Sequence, residues 1–126
     1  ALCIYYFFGL YVTVCYFIAS IYGIAILESQ NFFAHYGLRR KKQPNGRYER
    51  VNARHSWNSD HIIGRVLLFE LTRHSDHHHI GGKSYQILDS KEESPMLPYG
   101  YPTMLMLSFF PFLFRPVMNR QLELYG

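Results

Sequence analysis

The chain has 126 residues, room for one domain, and its 48% hydrophobic content is unevenly spread. Its two cysteines, Cys3 and Cys15, make no Cys-x-x-Cys pair, which excludes a zinc ribbon and a disulfide framework. The formal charge of +4 comes mostly from one basic run directly behind an apolar segment, a pattern of membrane topology and not of nucleic-acid binding.

From Leu2 to Leu27 no residue is charged. The run exceeds the roughly 20 residues that cross a bilayer, and Gly9 and Gly23 are tolerated in a membrane helix. It lacks the short basic start and the small-residue cleavage site of a signal peptide. One transmembrane helix is therefore expected over residues 2–30. The chain opens at Ala1 with no hydrophilic lead, so it is expected to be the C-terminal part of a longer protein.

Glu28 to Leu38 carries the helix beyond the membrane, with Gly37 suited to end it. His35 sits at that end and, read alone, is an interfacial residue. Arg39, Arg40, Lys41, Lys42, Arg47, Arg50 and Arg54 then face only Glu49 in the same stretch. Basic residues behind a span mark the cytoplasmic side. Pro44-Asn45-Gly46 inside this run signals a turn.

His55-Ser-Trp-Asn-Ser-Asp-His61 leads into the next element. Ser59 or Asp60 is expected to cap one continuous helix through Ile62, Ile63, Val66, Leu67, Phe69 and Leu71. That helix would run into Arg73-His74-Ser75-Asp76-His77-His78-His79. At spacings of three and four, His74, His77 and His78 share one face, a set of nitrogen donors for a transition metal. All seven histidines lie between positions 35 and 79. On the same helix Glu70 would lie one turn before His74, and Asp76 could orient a ligand imidazole through its second ring nitrogen.

Gly81-Gly82 ends this element, and Tyr85 to Leu88 is expected to be extended. From Glu93 to Pro116 the chain carries Pro95, Pro98, Pro102, Pro111 and Pro116 around the apolar stretches Met104–Phe110 and Phe112–Phe114. This segment is expected to lie against the membrane or the histidine-rich region, with Arg115 and Arg120 returning it to polar surroundings. The expected fold is mainly α: a fragment of a membrane helical bundle. One transmembrane helix (2–30) is followed by a cytoplasmic histidine-rich helical region (31–92) and an apolar, proline-rich end (93–126).

Several stretches occur in order and at matching spacing. They are Asn31-Phe-Phe-Ala-His-Tyr-Gly-Leu38, His55-Ser-Trp-Asn-Ser59, Leu71-Thr-Arg-His-Ser-Asp-His-His78 and Glu93-Ser-Pro-Met-Leu-Pro98. Gly100-Tyr101 and Arg115-Pro-Val-Met-Asn119 follow. Together, over nearly the whole chain, they resemble the C-terminal part of the integral-membrane alkane monooxygenases. The resemblance implies a non-haem enzyme with a pair of iron ions that inserts oxygen from O₂ into the terminal C–H bond of an alkane. It implies rubredoxin as electron donor, a bacterial inner-membrane location, and an active site on the cytoplasmic side. His35, His74, His77 and His78 match the family's ligand positions; further ligands come from upstream histidine motifs that this chain lacks. His55 and His61, with Asp76 and Glu70, are expected beside the ligands and not among them. The basic stretch from Arg39 to Arg54 is a docking surface for the acidic rubredoxin, or a topology signal only.

The chain departs from the family in places. Ala34 stands where the family usually has Glu, and Glu70 and Asp60 stand where it has Asn. His79-Ile80-Gly81 replaces Ala-His-Pro, so His79 is not expected to be a ligand. Glu70 is expected to replace in part the carboxylate absent at Ala34. Alternative readings are a related membrane hydroxylase or desaturase acting on alkyl-aromatics or fatty acyl chains, and a catalytically silent metal-binding protein, for zinc for instance. With so few ligands the isolated chain is expected to be inactive.

Overall fold

A computed structural model describes residues 1–125. Five α-helices follow one another: α1 (Leu2–His35), α2 (Ile62–Leu67), α3 (His74–His79), α4 (Tyr101–Ser108) and α5 (Pro111–Tyr125). Single 3-10 turns occur at Ala53–His55 and Tyr85–Ile87. Among the described residues there is no sheet, and strand-like pairing is limited to the isolated bridges Lys42–Tyr48 and Asn58–Met96.

Helix α1 has 34 residues, about 50 Å at the ordinary helical rise, against a hydrocarbon layer of about 30 Å. Its apolar window is long and hydrophobic enough to cross a membrane and is almost bare of protein contact. A core helix of a soluble domain would be covered; a bare apolar surface of this length suits a membrane. Gly9 interrupts the helix with φ 78° and ψ 178°, a backbone region essentially restricted to glycine. The Thr13 hydroxyl donates to the Gly9 carbonyl (2.9 Å), and that of Ser20 donates to the Tyr16 carbonyl (2.8 Å). Both hydroxyls are thereby satisfied within a segment that offers them no water.

The polar end of α1 enters the folded part of the chain. Phe33 and Ala34 are buried there with Trp57, Tyr101, Met104, Phe114 and Met118. Trp57 closes the helix end: its backbone N–H donates to the Ala34 carbonyl and its indole N–H to the Tyr36 carbonyl, each at 2.8 Å. These are carbonyls that the end of a helix otherwise leaves without a partner. The Tyr101 hydroxyl donates in turn to the Trp57 carbonyl (3.1 Å). Helix α4 runs back along α1, Tyr101 against Phe33 at a ring separation of 5.0 Å and Leu105 lining a small cavity with Ile26 and Gln30. Helix α5 returns, its Phe114 ring against Phe32 and Tyr36. Pro102 and Pro111 fall in first turns, where the missing N–H costs nothing.

The structure corrects three expectations. The single helix from Ser59 to the histidines is two short helices, α2 and α3, and α2 is preceded by His61, with no side-chain cap from Ser59 or Asp60. The break lies at Phe69 and Glu70, both with positive φ (49° and 61°). The Glu70 N–H closes onto the Arg65 carbonyl (2.9 Å), a helix-ending bond that normally needs glycine. Tyr85 to Ile87 is a 3-10 turn and not extended.

Gly37 has φ +73°, and a β-carbon there would lie 2.9 Å from Leu122 Cδ2, with Cδ1 closer still. Gly37→Ala is expected to cost about 1–3 kcal/mol, read as a lower melting temperature of the detergent-solubilised full-length protein. Adding Leu122→Ala should recover only the steric share, because the backbone strain remains.

Candidate metal centre

Three imidazoles meet where α1 ends. His35 occupies the last position of α1, and His74 and His78 lie one turn apart on α3. One ring nitrogen from each falls within 4.8 Å of the others. The Nε2 atoms of His74 and His78 are 2.9 Å apart, close to the spacing of two neighbouring donors on an ion with bonds of about 2.1 Å. The His35 ring centre lies 5.1 Å from that of His74 and 5.0 Å from that of His78.

The tautomer of His35 follows from its partner. Its Nδ1 lies 2.9 Å from the His55 carbonyl, which can only accept, so Nδ1 carries the proton and Nε2 keeps a lone pair. His55 acts here through its backbone. Its own ring accepts from the Asn52 N–H at Nδ1 (3.0 Å) and meets Glu49 Oε1 at Nε2 (3.2 Å), outside the trio. His77 is half-buried, its ring stacked on His74 at 6.0 Å, and it does not join the three converging nitrogens. His79 is exposed. His61 precedes α2 and does not join the trio; its side chain packs against Gly100.

Burial makes the site one for neutral nitrogen. Desolvation first, then the neighbouring rings of His78, His35 and His77, push the His74 imidazole down to about 3. The same burial, followed by His35 and His77, lowers His78. A lone-pair nitrogen that stays unprotonated at neutral pH is what a transition metal needs from histidine. His74 Nδ1 is buried near the Leu71 carbonyl without reaching hydrogen-bond geometry. The donor set therefore fits a metal, and it contains no carboxylate.

Helix α3 has only six residues, too few to hold itself. Two buried anchors hold it between its histidines. Ser75 receives both ends of the Asn58 amide: its N–H donates to Oδ1 and its hydroxyl accepts from Nδ2, each at 2.9 Å, and the hydroxyl also meets Ser94 at 2.6 Å. Asp76, fully buried, accepts from Lys83 Nζ at 2.6 Å and from the Asp89 N–H at 2.9 Å, with Lys91 3.5 Å away. Burial alone would raise its carboxyl, but the Asp89 N–H and the two lysines outweigh it and hold the group ionised. The expected bond from Asp76 to a ligand imidazole is therefore replaced by one to Lys83; Asp76 positions the helix and not the ring. Sequence patterns missed Lys83, Asp89 and Ser94, which reach α3 from loops seven to nineteen residues further along the chain.

Glu70 does not replace a carboxylate at the site. Arg65 takes both of its oxygens, at 2.8 and 2.9 Å, and Arg73 lies 3.4 Å from one of them. With the helix broken at Phe69 and Glu70, Glu70 is not one helical turn below His74 on a common face. Ala34 is buried in the core beneath Trp57.

Two outcomes follow. Below pH 6.5 the unfolded chain takes up a proton at His74 that the folded, metal-free protein refuses until about pH 3, so stability should fall with pH through that window. Melting curves of metal-free protein at pH 7.5 and 5.0 should show a smaller drop in His74→Gln than in the unsubstituted protein. Asp76→Ala removes a buried anchor of α3 and leaves Lys83 paired with Asp89 alone, and should cost on the order of 2 kcal/mol in the same assay.

The chain is similar to known membrane oxygenases. The fatty acid desaturase family model matches residues 1–108. Alkane 1-monooxygenase 2 of Alcanivorax borkumensis is 47% identical over 106 residues, covering 84% of this chain and 28% of that protein. Alkane 1-monooxygenase 1 of the same organism is 46% identical over 113 residues, 90% of this chain and 28% of its own length. The hydroxylase component of xylene/toluene monooxygenase from Pseudomonas putida is 36% identical over 74 residues, 58% of this chain and 18% of its own. The chain thus spans little more than a quarter of the length of the alkane relatives. With the family model matching over most of its length, and a membrane-type helix leading directly into clustered histidines, this chain belongs to the fatty acid desaturase family.

Proposed function

We propose that this chain contributes the C-terminal part of a membrane monooxygenase that hydroxylates the terminal carbon of alkanes with O₂. In this reading His35, His74, His77 and His78 hold part of a non-haem pair of iron ions, and donors from outside the chain complete it. The observation that carries the reading is the convergence of His35, His74 and His78 at the inner end of the apolar helix. The alkane 1-monooxygenases, at 44–47% identity, support the substrate class.

When bound, the iron pair supplies the redox chemistry for oxygen and an unactivated C–H bond. The protein's part is placement. The His55 carbonyl holds His35 in one tautomer, and the Ser75 and Asp76 anchors fix the direction of His74 and His78. Desolvation keeps the His74 ring neutral, and more weakly that of His78. An apolar cavity of about 120 Å³, lined by Ile26, Phe33, Leu68 and Leu105 among others, lies between the span and the folded part and suits a hydrocarbon with no polar handle.

The basic run from Arg39 to Arg54 supports a cytoplasmic site under the positive-inside rule. Arg39, Lys41 and Arg54 line one open groove with His55, and rubredoxin as an acidic electron donor would be steered towards it. A second reading, an alkyl-aromatic hydroxylase, rests on the weaker likeness to the xylene/toluene enzyme.

The full-length protein is expected to carry a pair of irons and convert octane to 1-octanol with rubredoxin and its reductase. His74→Ala should lose at least half of the iron and bring turnover to background. Zinc occupancy without turnover would overturn the proposal, and turnover of xylene in place of octane would favour the second reading.

A further inference from the structure

The hairpin of α4 and α5 has a surface that the metal site does not use. Its depth can be read from contacts. At one end of α4, Tyr101 meets Phe33; one turn on, Leu105 shares a cavity with Ile26 and Gln30. On the return, Phe114 meets Phe32 and Tyr36. The turn joining the two helices, at Phe109–Phe110, therefore lies on the membrane side of both sets of contacts. It reaches the level of the last charge-free turn of α1, which ends at Leu27.

The composition of the tip matches that depth. No charged residue occurs from Tyr101 to Phe114. Met106, Phe109, Phe110, Phe112 and Leu113 are all exposed, Phe112 to 71%. Polarity in α5 changes along its axis and not only around it. The first turn, Pro111 to Phe114, is wholly apolar, whereas from Arg115 to Glu123 the exposed residues are Arg115, Pro116, Asn119, Arg120 and Glu123, before Leu124 and Tyr125 expose apolar surface again at the far end of the helix. A helix laid flat on a protein keeps one apolar stripe throughout. A switch along the axis marks the plane where hydrocarbon gives way to water. Arginine at that plane can keep its charged head in the headgroup layer while its stem covers apolar surface.

We propose that the α4–α5 tip is a membrane wedge, inserted beside α1 into the leaflet on the His35 side. Phe109, Phe110 and Phe112 would sit among acyl chains, and Arg115 and Arg120 at lipid phosphates. The occupant is lipid because the patch is continuous with the bare apolar surface of α1 and because its uncharged tip reaches the charge-free part of α1, whereas Arg115, next to Phe114 at the level of Phe32, lies more than one turn beyond Leu27. Helix α2 extends the same collar: Ile63, Val66 and Leu67 are exposed, and Leu67 lines the cavity that Ile26 lines. The wedge would tie the fold around the histidines to a fixed height above the bilayer.

The test is collision accessibility of spin labels on the full-length protein in phospholipid vesicles, in a background with accessible cysteines, including Cys3 and Cys15, replaced. Phe112→Cys and Asn119→Cys each carry one label; both positions are exposed, so neither substitution empties the core. The label at residue 112 should collide with dissolved oxygen several-fold more, relative to a water-soluble nickel chelate, than the label at residue 119. Nickel-dominated collisions at 112 would place the tip in water, and low collisions with both reagents would place it under another protein segment. Either result overturns the proposal.

Discussion

The chain depends on how one helix end is closed. A membrane helix that runs into a folded domain arrives with unpaired carbonyls, and here the Ala34 and Tyr36 carbonyls are taken by the backbone and indole N–H groups of one residue, Trp57. Because Trp57 is buried against Phe33 and Tyr101, the same contact builds the core. Because His55 and Asn58 flank Trp57 in the chain, it also presents the carbonyl that sets His35 and the amide that anchors Ser75. Capping, packing and the metal site thus share four consecutive residues.

The electrostatic design separates two kinds of charge. The imidazoles are crowded together, and protonation of His74 and of His78 is opposed by desolvation and by the neighbouring rings. The fixed charges that steady α3, Asp76 with Lys83 and Lys91, lie to the side and are paired among themselves. The permanent cations of the basic run lie in a loop whose Glu49 accepts from the Lys41 backbone N–H and meets the His55 ring. An ionised carboxylate beside the rings would have favoured their protonation; Glu70 is kept from that role by Arg65.

What could be read from the residues follows from how far apart interacting groups stand. The span was legible because an uncharged run of that length has few other uses, and the spacing of His74 and His78 was legible because three- and four-residue intervals suffice to define a helix face. His35 was not legible from its neighbours, since its partners lie about forty residues on; only the resemblance to the alkane monooxygenases pointed to it. The break between α2 and α3 was hidden because Phe69 and Glu70, with positive φ, are not the residues that signal such a bend. Asp76 was placed at the site but given the wrong partner, because Lys83 approaches through a loop whose path no pattern encodes.

The length of α1 acts as a ruler. His35 lies eight positions beyond Leu27, the last of the charge-free run, a rise of about 12 Å along the helix. The helix also sets an angle, since each residue turns the next by about 100°. One residue more between Leu27 and His35 would swing that imidazole away from His74 and His78 even though every contact-making residue was still present. Seven more would restore the direction but lift the ring by about 10 Å. Height and heading are therefore fixed together by the residue count of this short polar stretch.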